Sequence, residues 1–177
     1  GKTSGIFQFE SQGMTNFMKE LKPDCLEDLI AGVSLYRPGP MDQIPRYIRG
    51  KQNPGHNEYT HPNLEPILNV TYGCMVYQEQ VMQIVRDLAG YSLGRADLVR
   101  RAMGKKKLDV MAKEREVFIN GQVDENGNII VPGCVRNGID AESANKIFDE
   151  MSEFAKYAFN KSHAACYAVV AYRTAYL

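Results

Sequence analysis

Apolar residues recurring at helical spacing constrain this chain more than any other feature. From Asp140 onward, Ala144, Ile147, Phe148, Met151, Phe154 and Ala155 fall on one face of a 3.6-residue period. After a loop over residues 156–162, the segment from His163 is apolar nearly all round, which predicts a final helix at the centre of the domain. The same spacing places Met14, Phe17, Met18 and Leu21 behind a Ser11 cap, with Lys22-Pro23 as the stop. Leu26, Leu29, Ile30 and Val33 follow Asp24 and Glu27, which are spaced as a capping box. Val81, Val85 and Leu88 precede Gly90, and Met111, Arg115 and Phe118 share a stripe in Leu108–Asn120. Leu98, Val99, Ala102 and Met103 are the expected inner face of a helix between Ser92 and Gly104. A short helix is predicted over residues 64–68 and a brief extended piece over 72–77. Arg37-Pro38-Gly39-Pro40 breaks the pattern, because each proline lacks an N–H and restricts its predecessor; a rigid loop presenting Tyr36 and Arg37 is expected. Residues 50–62 read as a polar loop, and Asn126-Gly127 before Ile129-Ile130-Val131 as a small peripheral hairpin. The expected fold is mainly α: an irregular multi-helix domain of about eight helices with a small peripheral β-hairpin, spanning 1–177 as one unit.

A chain of 177 residues, 44% of them hydrophobic, can support such a core without staples. Its most apolar stretch, Ala164–Leu177, is 14 residues long and interrupted by Arg173, short of the roughly 20 residues of a membrane span, so a soluble protein is expected. Cys25, Cys74, Cys134 and Cys166 lie far apart without a C-x-x-C pair, which predicts reduced thiols rather than a disulfide frame or zinc site. Gly1 in place of an initiator Met, and Tyr172–Leu177 without a stop signal, lead to the expectation of a segment excised from a longer polypeptide.

The 21 Lys and Arg balance 21 Asp and Glu, yet the charges are unevenly spread. Between Arg95 and Lys107 six cations meet one anion, a net charge of +5 in 13 residues. Arg100 and Arg101 lie about 100° apart around a helix, so at least one stands beside the apolar face, where a guanidinium generally has a planar anionic partner. Lys105, Lys106 and Lys107 add point charges that a polyanion would meet. A second cationic group, Lys161-Ser162-His163, sits at the predicted N-terminus of the last helix, where free N–H groups favour an anion; Arg37 on its stiff loop is the third. The plain alternatives are a solvated basic helix end and a Ser162 cap with His163 satisfied in the first turn. Three stiffly mounted basic elements favour one polyanion site, with Arg37, Arg100, Arg101, Lys161 and His163 expected to converge on a single cleft. No catalytic carboxylate pair and no glycine-rich phosphate loop is visible, and tyrosines such as Tyr72 and Tyr77 are available to stack on bases.

Five motifs in order carry a resemblance: Gly5 to Met14 (GIFQFESQGM), Leu35 to Met41 (LYRPGPM), Thr71-Tyr72-Gly73 through Tyr77-Gln78-Glu79-Gln80-Val81-Met82, Arg100 to Lys106, and Phe159-Asn160-Lys161-Ser162-His163-Ala164. Together they resemble the fingers region of the bacterial replicative DNA polymerase III alpha subunits, family C polymerases. The resemblance implies a helical fingers domain of a DNA-directed DNA polymerase, a nucleotidyltransferase of DNA replication in the bacterial cytoplasm. It implies that a palm domain upstream holds the Mg²⁺-binding carboxylates, so this segment carries no catalytic residue, holds no metal and is inactive alone. Arg37, Arg100, Arg101, Lys105, Lys161, Ser162 and His163 match positions expected to bind the phosphates of the incoming deoxynucleoside triphosphate. Lys106, Lys107 and Arg95 are expected to contact DNA, although Arg95 stands where the family usually has a glycine. The implied partners are template-primer DNA, the triphosphate, the palm of the same polypeptide, and the sliding clamp and other replisome subunits through regions elsewhere. Gln78, Glu79 and Gln80 match a motif without an assigned role, and the 124–134 hairpin looks like an optional insert. Competing readings are a non-catalytic helical nucleic-acid-binding module and a structural interaction domain whose basic helix is simply solvated.

Overall fold

Capping side chains set where four of the helices begin. The structure, a computed structural model, describes residues 2–177, so the expectation attached to Gly1 lies outside the described residues. Ser11 Oγ accepts from the Met14 N–H at 3.2 Å to start α1 (Gln12–Leu21), which stops at Lys22 in the left-handed region ahead of Pro23. Helix α2 (Leu26–Leu35) departs from expectation: Cys25, with no side-chain cap, replaces the Asp24 capping box. Asp28 turns back instead, its Oδ2 accepting from the Asp24 N–H at 3.2 Å, because a lysine on the next helix draws the carboxylate inward.

That helix was not anticipated. A 3₁₀ turn over Pro40–Gln43 runs into α3 (Ile44–Gln52). Pro40 and Pro45 occupy first turns, where a missing N–H costs nothing, so prolines that read as breakers act as starters. Further 3₁₀ turns at Pro62–Leu64 and Asn69–Thr71 flank α4 (Glu65–Leu68). Then follow α5 (Gln78–Ala89), closed by Gly90, and α6 (Leu93–Gly104), capped by Ser92. Next come α7 (Leu108–Asn120) and the antiparallel pair β1 (Gln122–Val123) and β2 (Ile129–Val131), with Gln122 opposite Val131. Asp140 caps α8 (Ala141–Ala155), its Oδ2 accepting from the Ser143 N–H at 2.8 Å. Finally, α9 (Lys161–Tyr176) starts two residues earlier than expected, because Asn160 and not Ser162 is the cap: its Oδ1 accepts from the His163 N–H at 2.9 Å. Among the described residues the fold is mainly α, nine helices with one small hairpin.

Two hydrophobic clusters divide the chain. One joins α1, α2, α3 and α9 around Phe17, Leu21, Leu35 and Tyr47. The other joins α4 to α8 around Ile84, Leu88, Phe118, Ile147 and Phe148. The final helix is not central. Only Ala164, Ala168 and Ala171 of α9 are buried, a narrow stripe whose small side chains let α2 approach closely, while Tyr172 and Tyr176 stand in solvent. Leu98 is also exposed, because Ala96, Val99 and Met103 take the inward face of α6 at i, i+3, i+7 spacing. The hairpin is peripheral only at its tip: beyond β2, the Gly133 N–H donates to Ala89 O at 2.9 Å and the Cys134 N–H to Phe118 O at 2.8 Å, carrying the return limb into the core. Burial pushes the Cys74 and Cys134 thiols up to about 11 and about 12, so both stay protonated. No helix among the described residues is long and apolar enough to cross a membrane.

Candidate functional site

The two clusters meet at one joint. Tyr77 and Phe159 form an isolated parallel bridge, the Gln78 N–H donating to Phe159 O at 3.0 Å, which sets the start of α5 beside the start of α9. Gln80 makes the joint possible. Its buried Oε1 accepts from the Val76 and Tyr77 N–H groups at 2.9 and 3.0 Å, and its Nε2 donates to Thr71 Oγ1 at 2.9 Å. Gln78 Oε1 accepts from Arg100 Nη1 at 2.9 Å. The Glu79 carboxylate accepts from Asn160 Nδ2 at 2.8 Å and from the Lys161 N–H at 3.1 Å. Gln78, Glu79 and Gln80, without a role in the sequence reading, are therefore the joint itself; the signal that identifies Gln80 is its place at the third helical position, where a capping-box side chain reaches back.

Around this joint the structure gathers four of the expected residues, Arg37, Arg100, Lys161 and His163. Arg37 lies over the Phe159 ring at 4.7 Å, on a loop whose Gly39 has φ 103° and abuts Tyr157 so closely that a β-carbon would come 2.5 Å from the ring. Arg100, partly buried, is held by Asp97 Oδ1 at 2.7 and 3.2 Å as well as by Gln78. Lys161 Nζ is 3.2 Å from Glu27 and 5.3 Å from the Tyr77 ring. The exposed His163 ring packs between Phe159 at 5.3 Å and Tyr167 at 4.3 Å, beside an exposed Ser162.

Other expected residues are not drawn to the joint. Arg101 is mostly exposed, its Nε on Asp97 Oδ2 at 2.8 Å. Lys105, Lys106 and Lys107 form an exposed turn between α6 and α7; Lys106, with φ 51°, borders a separate cavity of about 640 Å³ with Met111, Asp149 and Lys156. Arg95 fastens α6 to α7 through Glu114 at 3.0 Å and over the Tyr91 ring at 5.1 Å, so its surroundings are those of a structural tie.

Carboxylates stand among the cations. Hydrogen bonds from Arg100 hold the Asp97 carboxyl below its usual range. The N-terminus of α9, expected to be open to an anion, already carries Glu79, a carboxylate 82 residues away that accepts from the Lys161 N–H. Glu79→Ala is expected to cost about 1 kcal/mol of stability through loss of this cap, read as a lower urea midpoint, whereas Glu79→Gln retains most of it. An unchanged midpoint for Glu79→Ala removes the capping role.

Comparison with known proteins agrees with these motifs. The family model of the bacterial DNA polymerase III alpha subunit finger domain matches residues 1–126. The DNA polymerase III subunit alpha of Chlamydia trachomatis is 54% identical over 177 residues, covering 100% of this chain and 13% of that protein. That of Thermus aquaticus is 51% identical, covering 100% and 14%, and that of Pseudomonas aeruginosa is 50% identical, covering 99% and 15%. The chain thus spans about one seventh of the length of these relatives. With the model matching well over half of its residues, the chain belongs to the bacterial DNA polymerase III alpha subunit finger domain family.

Proposed function

We propose that the surface around the Gln78–Phe159 joint holds the triphosphate of an incoming deoxynucleoside triphosphate beside template-primer DNA, as the fingers of a DNA-directed DNA polymerase in bacterial replication. The observation that carries the reading is that residues 37, 100, 161 and 163, from three separate segments, are all tied to Gln78, Phe159 or their immediate neighbours. Phosphoryl transfer needs cations fixed where charge develops on the triphosphate. Arg100 supplies a fork oriented by two partners, and Arg37 rests on a ring and makes no ion pair among the described residues. Lys161 is held by a surface pair to Glu27 that is worth at most about 1 kcal/mol, so exchanging that carboxylate for a phosphate oxygen costs little.

Nucleotidyl transfer of this kind uses a divalent cation such as Mg²⁺ to neutralise phosphate charge. The residues here do not fit one. Asp24, Cys25 and Asp28 are the one group of suitably close ligand atoms among the described residues, and the Lys51 ammonium already lies between their carboxylates. In the whole enzyme Mg²⁺ is therefore assigned to carboxylates outside these 177 residues, in a palm domain of the same polypeptide. The names of the relatives support DNA as the polymer acted on; the sliding clamp and other replisome subunits, and a place in the bacterial cytoplasm, belong to the same proposal.

Titrating the isotope-labelled chain with a deoxynucleoside triphosphate tests the reading. Side-chain resonances of Arg37, Arg100, Lys161 and His163 are expected to shift, and Arg100→Ala is expected to weaken binding about tenfold or more through loss of a charge-assisted fork. A response to DNA without any response to triphosphate overturns the proposal in favour of a non-catalytic nucleic-acid-binding module.

A further inference from the structure

Two arginines that the joint does not use stand on α3. Arg46 and Arg49 are three residues apart, so they project from the same side of the helix. With Asn53, His56, Asn57 and Tyr72 they line a polar cleft of about 500 Å³ between α3, the loop that follows it and the turn before Cys74. Both are exposed, and among the described residues neither makes an ion pair. Arg46 Nη2 donates to the main-chain oxygen of Glu58 at 3.1 Å, which steers the guanidinium without neutralising it. Arg46 also borders a neighbouring cavity with Asp42, Glu150 and Glu153, so Arg49 is the cleaner reporter of the cleft.

The cleft is built rather than incidental. A β-carbon on Gly50 would lie 2.5 Å from Tyr72 Cβ and 2.7 Å from Asn57 Oδ1, so only glycine lets both walls close on the helix. Tyr72 has φ 52°, in the left-handed region that a bulky aromatic residue rarely adopts. It is held there by edge-to-face packing on the buried Tyr47, ring centroids 5.1 Å apart. Two forked cations, two side-chain amides, an imidazole and an aromatic ring thus share one concavity, with Glu58 as its one acidic residue.

We infer that this cleft binds the phosphate groups of a polynucleotide backbone, Arg46 and Arg49 donating to phosphate oxygens while Tyr72 and the asparagine amides meet the sugar and base. Guanidinium forks match phosphate geometry in two-point contacts. A lone inorganic phosphate fills only a small part of about 500 Å³ and leaves the amides and the ring without partners, whereas a nucleotide unit engages all of them. The cleft shares no residue with the triphosphate surface and stands whether or not that surface takes a nucleotide.

Fluorescence anisotropy of an end-labelled single strand of about 20 nucleotides, read between 50 and 200 mM KCl, tests it on the 177-residue chain. Arg46→Ala/Arg49→Ala is expected to bind about tenfold more weakly at the lower salt with an unchanged melting temperature. The slope of log affinity against log salt is expected to fall by about 1.4, two single-strand phosphate contacts at about 0.7 each. Arg49→Ala alone, whose side chain has no hydrogen-bond partner among the described residues, keeps the test open should Arg46→Ala disturb the Glu58 loop; about half of the slope change is expected. Unchanged affinity and slope overturn the inference. Displacement of the strand by inorganic phosphate at equal phosphate concentration overturns the polynucleotide assignment. The Arg49 effect is expected to persist in an Arg100→Ala background, and the triphosphate titration is expected to be insensitive to Arg49→Ala, so the two proposals fail independently.

Discussion

Lys51→Met is expected to cost about 3–5 kcal/mol of folding stability, because it leaves a buried carboxylate without its counter-charge. Lys51 Nζ lies 2.6 Å from Asp28 Oδ2 and 2.7 Å from Asp24 Oδ1, and Asp28 is 1% exposed. The only other side chain donating to Asp28 among the described residues is the Tyr47 hydroxyl, at 3.4 Å. The ammonium therefore clamps α3 onto the first turn of α2, and with it the Pro-Gly-Pro loop that carries Arg37. Burial works against the charge on Lys51, but hydrogen bonds to Asp24 and Asp28 outweigh it and raise the pKa above its ordinary value of 10.5. A raised cation stabilises fully below that ordinary value and loses its contribution as pH climbs through the folded value. The Asp24 carboxyl is held low by the same lysine, so its contribution is present above 3.8 and fades as pH falls below it. Urea titration at pH 7 and pH 11 is expected to show the gap between wild type and Lys51→Met narrowing at the higher pH. Lys51→Met/Asp28→Asn is expected to recover much of the loss, since the uncompensated charge is gone. A single variant as stable as the wild type at pH 7 contradicts the clamp.

Gln80→Leu is expected to cost about 2–5 kcal/mol and to disable the joint together with the core. The shape is nearly conserved, so the loss is one of hydrogen bonding: the buried Val76 and Tyr77 N–H groups lose their common acceptor, and Thr71 Oγ1 loses its donor. Each orphaned buried group costs on the order of 1–3 kcal/mol. Because Gln78 and Glu79 adjoin this cap, Arg100 and Lys161 lose their shared alignment. Weaker triphosphate binding with lowered thermal stability is expected, while Gln80→Glu, which keeps the acceptor oxygen, is expected to lie between. Unchanged melting and unchanged triphosphate response for Gln80→Leu remove the keystone role.

Contacts within a few residues were legible before any coordinates. Ser11, Ser92 and Asp140 cap the helices expected of them, and the stripe from Ala144 to Met151 is buried, because a cap reaches three residues and a stripe repeats every turn. The motifs that mark the family are local as well. Partner choice over long separations was not legible. The same residues allow Asp24 to cap α2 or to pair with Lys51, and the lysine 27 positions away decides. Apolar character predicts burial for all of α9, yet only three alanines, on the side where α2 packs, are fully covered. An anion-ready helix N-terminus was expected at Lys161-Ser162-His163 from the free N–H groups a helix start presents; the tertiary structure brings Glu79 to the Lys161 N–H from across the joint. Sequence by itself determined most of the helices, the caps at Ser11, Ser92 and Asp140, and the family; the tertiary structure decided which charges meet, because electrostatic pairing depends on distance in space and local periodicity carries no information about it.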